Sequence, residues 1–249
     1  VKLSHSWFVL GVLVLSACSG AGKPQSSRDS ADPREPGVSE WVILAANEFG
    51  EGNARGDDAF EILRRACELL DQSLIEYESI ERIPKQAVGA LDLMLLSAGE
   101  CQTLSCECGF EDANEYPDLP ISGFVNADGK RLRASSLFAL NKYFAQRVGL
   151  LIQQADVGAA RQLALSQIGI ARGLASAEHC DSDLLGILLS WDTLKGGLQN
   201  LESVCEASNA PQERQAASRW IATYKEKRSM LIQRFRAEST SKSARQGSK

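Results

Sequence analysis

The sequence predicts an all-α fold of antiparallel helical hairpins, and three observations carry that expectation. Apolar residues recur at helical spacing through most of the stretch from Ser39 to Arg236. Capping and turn residues divide that stretch into seven helix-sized pieces. No segment sustains the period-two alternation with β-branched residues that a sheet needs, so strands are expected to be minor at most.

The elements follow in order. Ser39 is placed to cap a first helix through Phe49, and Asp57, after Gly56, to cap a second. The stripe of the second is Ala59, Ile62, Leu63, Ala66, Leu69, Leu70, Leu74, Tyr77 and Ile80. Pro84 suits the first turn of a third helix ending near Gly99. Residues 101–130, rich in Cys, Pro, Gly and Asp, read as a Cys-rich loop. Ser135 or Ser136 opens a fourth helix with Leu137, Leu140, Phe144, Val148 and Leu151 inward, and Asp156 caps a fifth. Asp181-Ser182-Asp183 opens a sixth and Pro211 a seventh. Gly196-Gly197 would weaken the sixth by about 1 kcal/mol per glycine relative to alanine. Leu188, Trp191, Leu194, Leu198, Leu201 and Cys205 nevertheless keep one face across the pair, so the helix is expected to run through it with the glycines allowing a close backbone approach.

The segment Gly56 to Leu63 resembles the turn and second helix of a tetratricopeptide repeat, although the hairpins are longer than a 34-residue repeat. Ala90-Leu91-Asp92-Leu93-Met94-Leu95, then Cys108-Gly109-Phe110, Leu137…Leu140…Phe144, Gln154-Ala155-Asp156 and the helix around Leu163–Ile168 occur in an order that resembles a group of uncharacterised bacterial helical proteins with TPR-like hairpins. That resemblance spans roughly residues 50–205 and implies a TPR-like stack or irregular bundle, with no activity attached.

The N-terminus carries an address. Lys2 precedes the apolar run Trp7–Leu15, and Leu15-Ser16-Ala17-Cys18 resembles the lipobox of bacterial lipoproteins. The resemblance implies a signal peptide over 1–17 and acylation of Cys18, with Ser19 after the cysteine pointing to the outer membrane facing the periplasm. Several acyl chains, at about 0.8 kcal/mol per buried CH₂, make such anchoring effectively permanent. Residues 18–38, with Pro24, Pro33 and Pro36 and almost no apolar surface, read as a disordered tether. The body then covers 39–236, and 237–249 reads as a disordered polar tail.

The formal charge of −5 becomes −6 once Lys2 leaves with the signal peptide. An acidic chain lacks the general attraction to phosphate that nucleic-acid binding needs, so nucleic acid is excluded as a partner. The expected partners are the lipid membrane, through acylated Cys18, and another envelope protein.

Six cysteines remain in the mature chain: Cys67, Cys101, Cys106, Cys108, Cys180 and Cys205. An even number outside the cytoplasm favours disulfides over a metal site, and Cys106-Glu107-Cys108 is too tight for a zinc knuckle. Counting outward from the turn at Ile83-Pro84 brings Cys101 opposite a residue near Arg65, which makes Cys67–Cys101 the expected bridge. An unbroken sixth helix separates Cys180 from Cys205 by about 36 Å and forbids that pair, leaving Cys180 for the Cys106/Cys108 region and Cys205 free or paired between chains.

Catalytic strings fail on context, so no catalytic, cofactor or metal residue is assigned. His179 beside Cys180 lacks the geometry of a thiolate with a base. Ser239-Thr240-Ser241-Lys242 matches S-x-x-K in a polar tail without a pocket, and Gly20-Ala21-Gly22-Lys23 lacks a P-loop's spacing. Glu48 and Glu51 are the candidate acids if the chain cleaves cell wall, a role that needs one carboxyl of raised pKa. The preferred expectation is a membrane-anchored, periplasm-facing lipoprotein acting as a helical interaction scaffold. A peptidoglycan-acting enzyme and a small-molecule carrier are the alternatives.

Overall fold

The computed structural model describes residues 38–50, 58–101, 103–110, 122–177 and 184–246. Among these residues the chain is mostly helical, with seven helices: α1 (Val38–Phe49), α2 (Ala59–Tyr77), α3 (Lys85–Glu100), α4 (Ala134–Gln153), α5 (Val157–Ala175), α6 (Leu184–Ser208) and α7 (Pro211–Gln246). One three-stranded antiparallel sheet, β1 (Glu107–Phe110), β2 (Ser122–Val125) and β3 (Arg131–Arg133), lies between α3 and α4. None of the described helices is long and apolar enough to cross a membrane.

Helix α5 is the axis of the core. Its residues from Ser166 through Ala175 are all buried, and α1, α3, α4 and α6 all pack against it. Such burial suits its composition of Ala, Gly, Leu and Ile, whose small side chains admit several neighbours at once. Asp156 caps α5 as expected, its carboxylate accepting from the Ala159 amide at 3.1 Å. The second helix differs by one residue. Asp58, not Asp57, is its cap, accepting from the Phe60 amide at 3.0 Å and from the Ser105 amide at 2.9 Å. That single carboxylate starts α2 and also pins the segment after α3 against it. The fourth helix begins at Ala134, one residue before the serines expected to open it, and Ser136 instead donates its hydroxyl to Asp71 of α2 at 2.7 Å.

The hairpin turns after α2, α4 and α6 each contain a left-handed residue other than glycine: Glu78, Ala155 and Asn209. In the α6–α7 turn the Ala210 amide donates back to the Cys205 carbonyl at 2.9 Å, and Pro211 then opens α7. Helix α6 runs unbroken through Gly196-Gly197. A Cβ on Gly197 would lie 2.7 Å from Ile168 Cγ1, and one on Gly196 would lie 2.6 Å from Gln167 Nε2. The pair is therefore the contact at which α6 meets α5. Gln167, fully buried, is held there by a side-chain chain: it donates to Asn141 at 3.1 Å, accepts from Asn200 at 2.8 Å, and Asn141 donates to Thr193 at 3.1 Å.

Residues 101–130, expected as a loop, contain β1 and β2, and the hairpin closes with β3. In the described register Glu107 faces Val125, and Val125 also faces Arg131. Between β2 and β3, the Asn126 carboxamide oxygen accepts from the Asp128 and Lys130 amides at 3.1 and 2.9 Å, and Gly129 takes a φ of +74°. Phe124 and Leu132, paired across these strands, are both buried and face the helices. Helix α7 also exceeds its expectation, continuing past Arg236 to Gln246. Six of residues 237–246 are Ala, Glu, Lys, Arg or Gln, good helix formers, against four Ser and Thr.

Candidate functional site

Helices α4, α6 and α7 leave an open groove of about 780 Å³ between them. Lys195 of α6 and Lys225 and Arg228 of α7 line it, with Phe138 of α4 on its rim, half exposed at 50%. Asp192 is the one carboxylate among the described lining residues, and it accepts the Tyr224 hydroxyl proton in a hydrogen bond. Burial, followed by that contact with Asp192, pushes the Tyr224 hydroxyl well above its usual range. Lys195 lies 5.5 Å over the Tyr224 ring, which itself packs 5.3 Å from Trp191. Three cationic side chains and one carboxylate, itself engaged by Tyr224, therefore line the groove.

Helix α7 reinforces that charge. It holds nine of the chain's 27 Lys and Arg but three of its 32 Asp and Glu, a net of +6, which leaves −11 on the rest. Among its described residues, Ala217, Ile221 and Tyr224 are buried at i, i+4 and i+7, and Met230 is 49% exposed. At 1.5 Å per residue its 36 residues reach about 54 Å, against about 38 Å for the 25 of α6.

Glu48, a candidate wall-cleaving acid, is tied to α7. Its carboxylate accepts from the Trp220 indole at 2.6 Å and pairs with Arg219 at 2.5 Å. The indole hydrogen bond, then the guanidinium, holds its pKa below the usual carboxylate range, the reverse of what a general acid needs. Trp41 of α1 packs edge-on to Trp220 at 6.3 Å and completes this α1–α7 clamp. Glu51, Cys18, His179 and Cys180 lie outside the described residues.

No disulfide joins any two of Cys67, Cys101, Cys106 and Cys205, so the expected Cys67–Cys101 bridge is not formed. Equal counting fails because left-handed Glu78 and a 3₁₀ turn at Ile80–Arg82 intervene between the helices. Cys67 lines a groove with Leu132 and Ser136, toward β3 and α4, while the Cys101 thiol donates to the Ser97 carbonyl on α3 at 3.4 Å. Burial drives the Cys67 thiol far above its usual pKa, with Asp71 and Glu68 adding to the rise. Cys205 is a free thiol donating toward Glu213 at 3.5 Å, pushed up to about 11 chiefly by burial. Cys108 sits on β1, opposite Phe124 in the register.

A second, smaller cavity of about 310 Å³ opens between α1, α3 and α5, walled by Phe49, Leu96, Leu165 and Ile168. Arg172 of α5 lies in its lining with only 6% of its surface exposed. Its Nη1 donates to the Gly50 carbonyl at 2.9 Å and its Nη2 to the Cys101 carbonyl at 3.4 Å, while Nε is buried without a partner. No described carboxylate pairs with it, and burial lowers its pKa. Sequence reading passed over Arg172. The available signal was a lone charge four residues after Ile168, on the buried stripe of α5.

No family model, curated protein or solved structure matches this chain.

Proposed function

We propose that the chain is a bacterial lipoprotein, held through acylated Cys18 at the outer membrane facing the periplasm, whose helical body binds another envelope protein. The cationic groove between α4, α6 and α7 carries this reading. Lys195, Lys225 and Arg228 supply charge, and half-exposed Phe138 supplies an apolar anchor of the kind that interface centres favour. The matching partner presents an acidic segment with at least one apolar side chain. The net +6 of α7 supports the same partner, since segregated charge speeds and orients encounter even on a chain of negative total charge.

The hairpins α2/α3, α4/α5 and α6/α7 support a TPR-like stack, a form suited to presenting grooves between successive helices. The wall-cleaving reading loses ground because Glu48 is held ionised by Trp220 and Arg219.

Crosslinking of intact cells followed by affinity purification tests the proposal. The wild-type chain recovers a defined envelope protein, and Lys225→Glu with Arg228→Glu reduces its yield about tenfold while leaving the fold intact. Equal recovery by both chains rejects the groove as the binding surface.

A further inference from the structure

We propose that the cavity between α1, α3 and α5 binds a small monocarboxylate with an apolar body, and that Arg172 is its counter-ion. The inference rests on this cavity and is independent of the protein-partner reading. A guanidinium carries five N–H donors and a full charge, and burying it unpaired is strongly unfavourable. Arg172 uses two N–H groups on carbonyls just after the ends of α1 and α3, one of them at a long 3.4 Å, and its buried Nε donates to nothing. Those helix ends offset part of the charge through their dipoles. They leave the Nε–H without an acceptor and the guanidinium without a carboxylate among the described residues.

The chemistry of the walls narrows the ligand. A planar, bidentate acceptor matches the guanidinium fork, which is the geometry of a carboxylate. Phe49, Leu96, Leu165 and Ile168 offer apolar contact for the rest of the molecule. The volume of about 310 Å³ falls at the small end of the range for small-molecule sites, roughly 300–1,000 Å³. A carboxylate of this kind can be a free short-chain acid or the C-terminus of a short peptide with an apolar last residue.

Isothermal titration of the full-length chain with hexanoate, with neutral hexanamide and with the dipeptide Ala-Leu separates these cases. Saturable one-site binding of hexanoate or of Ala-Leu is expected, and the stronger of the two identifies the source. Hexanamide should bind about tenfold more weakly or worse, as expected when a charged hydrogen-bond partner is replaced by a neutral one. Arg172→Gln should abolish the preference for hexanoate over hexanamide. Leu165→Trp, which keeps Arg172 but fills the cavity, should abolish binding while the chain stays folded by circular dichroism. Absence of saturable binding to the wild-type chain, equal affinity for hexanoate and hexanamide, or unchanged binding in Leu165→Trp would overturn the proposal.

Discussion

Replacing Gly197 by alanine isolates the contact between α5 and α6. At an open helical position, Gly→Ala stabilises a helix by about 1 kcal/mol through propensity alone. Gly89 of α3 is such a position, since a Cβ there meets nothing within 4 Å. At Gly197 the same methyl would sit 2.7 Å from Ile168 Cγ1, 3.1 Å from the Ile168 nitrogen and 3.3 Å from the Ala164 carbonyl. Two of those three atoms are backbone, so α6 must move away from α5, and overpacking of this kind costs about 1–3 kcal/mol. The propensity gain is common to both variants and cancels in their comparison. Gly197→Ala should therefore fall below Gly89→Ala by about 1–3 kcal/mol in urea unfolding followed by circular dichroism. For a chain of this size each kcal/mol moves the melting temperature by about 2–4 °C. Equal stabilisation by both substitutions would show that the two helices do not meet at Gly197 and would refute the packing described.

Further outcomes follow from single contacts. Asp92 accepts from Tyr143 at 2.7 Å and from Arg147 at 2.9 Å, so Asp92→Ala should cost about 2 kcal/mol by leaving part-buried Arg147 Nε unpaired and Tyr143 with only the longer 3.4 Å bond to the Val88 carbonyl, read by urea denaturation. Ala155→Gly should stabilise by up to about 1 kcal/mol, because Ala155 holds a φ of 61° that disfavours a Cβ; a drop in melting temperature would contradict it. Glu48 has a lowered folded pKa, so its stabilising effect is present above the unfolded value of about 4.5 and lost as pH falls through the folded one. Wild-type stability should accordingly drop more steeply than that of Glu48→Gln below about pH 4.5, and parallel acid profiles would remove the Trp220–Arg219 clamp. Cys18→Ser should accumulate unprocessed precursor that carries no acyl chains, whereas normal maturation with detergent-phase partitioning would defeat the lipoprotein reading.

Much of the helical body was legible because burial repeats at helical spacing. Leu137, Leu140, Phe144, Val148 and Leu151 of α4 are all buried, and Gly196-Gly197 is the close approach that its continuous flanking stripe implied. The small sheet escaped because its strands are only three or four residues long, each too short for alternation to show. Its one local sign was Asp128-Gly129, a turn dipeptide between short runs carrying Phe124 and Leu132. The bridge expected between Cys67 and Cys101 failed because hairpin counting assumes a tight turn and takes no account of which way each side chain faces. The groove was hidden for a different reason. Averaging charge over the whole chain gives −5 and conceals the +6 held by α7. The Arg172 cavity needed three helices to be brought together, which no local pattern encodes.

Site-specific photo-crosslinking in living cells tests the central claim most directly. A photoreactive amino acid at Phe138, on the groove rim, is compared with one at Ile75, which is exposed on α2 away from the groove. A discrete adduct with one acidic envelope protein at position 138, absent at position 75, is the expected result. Adducts of equal intensity at both positions, or none at position 138, would contradict binding through the α4–α6–α7 groove.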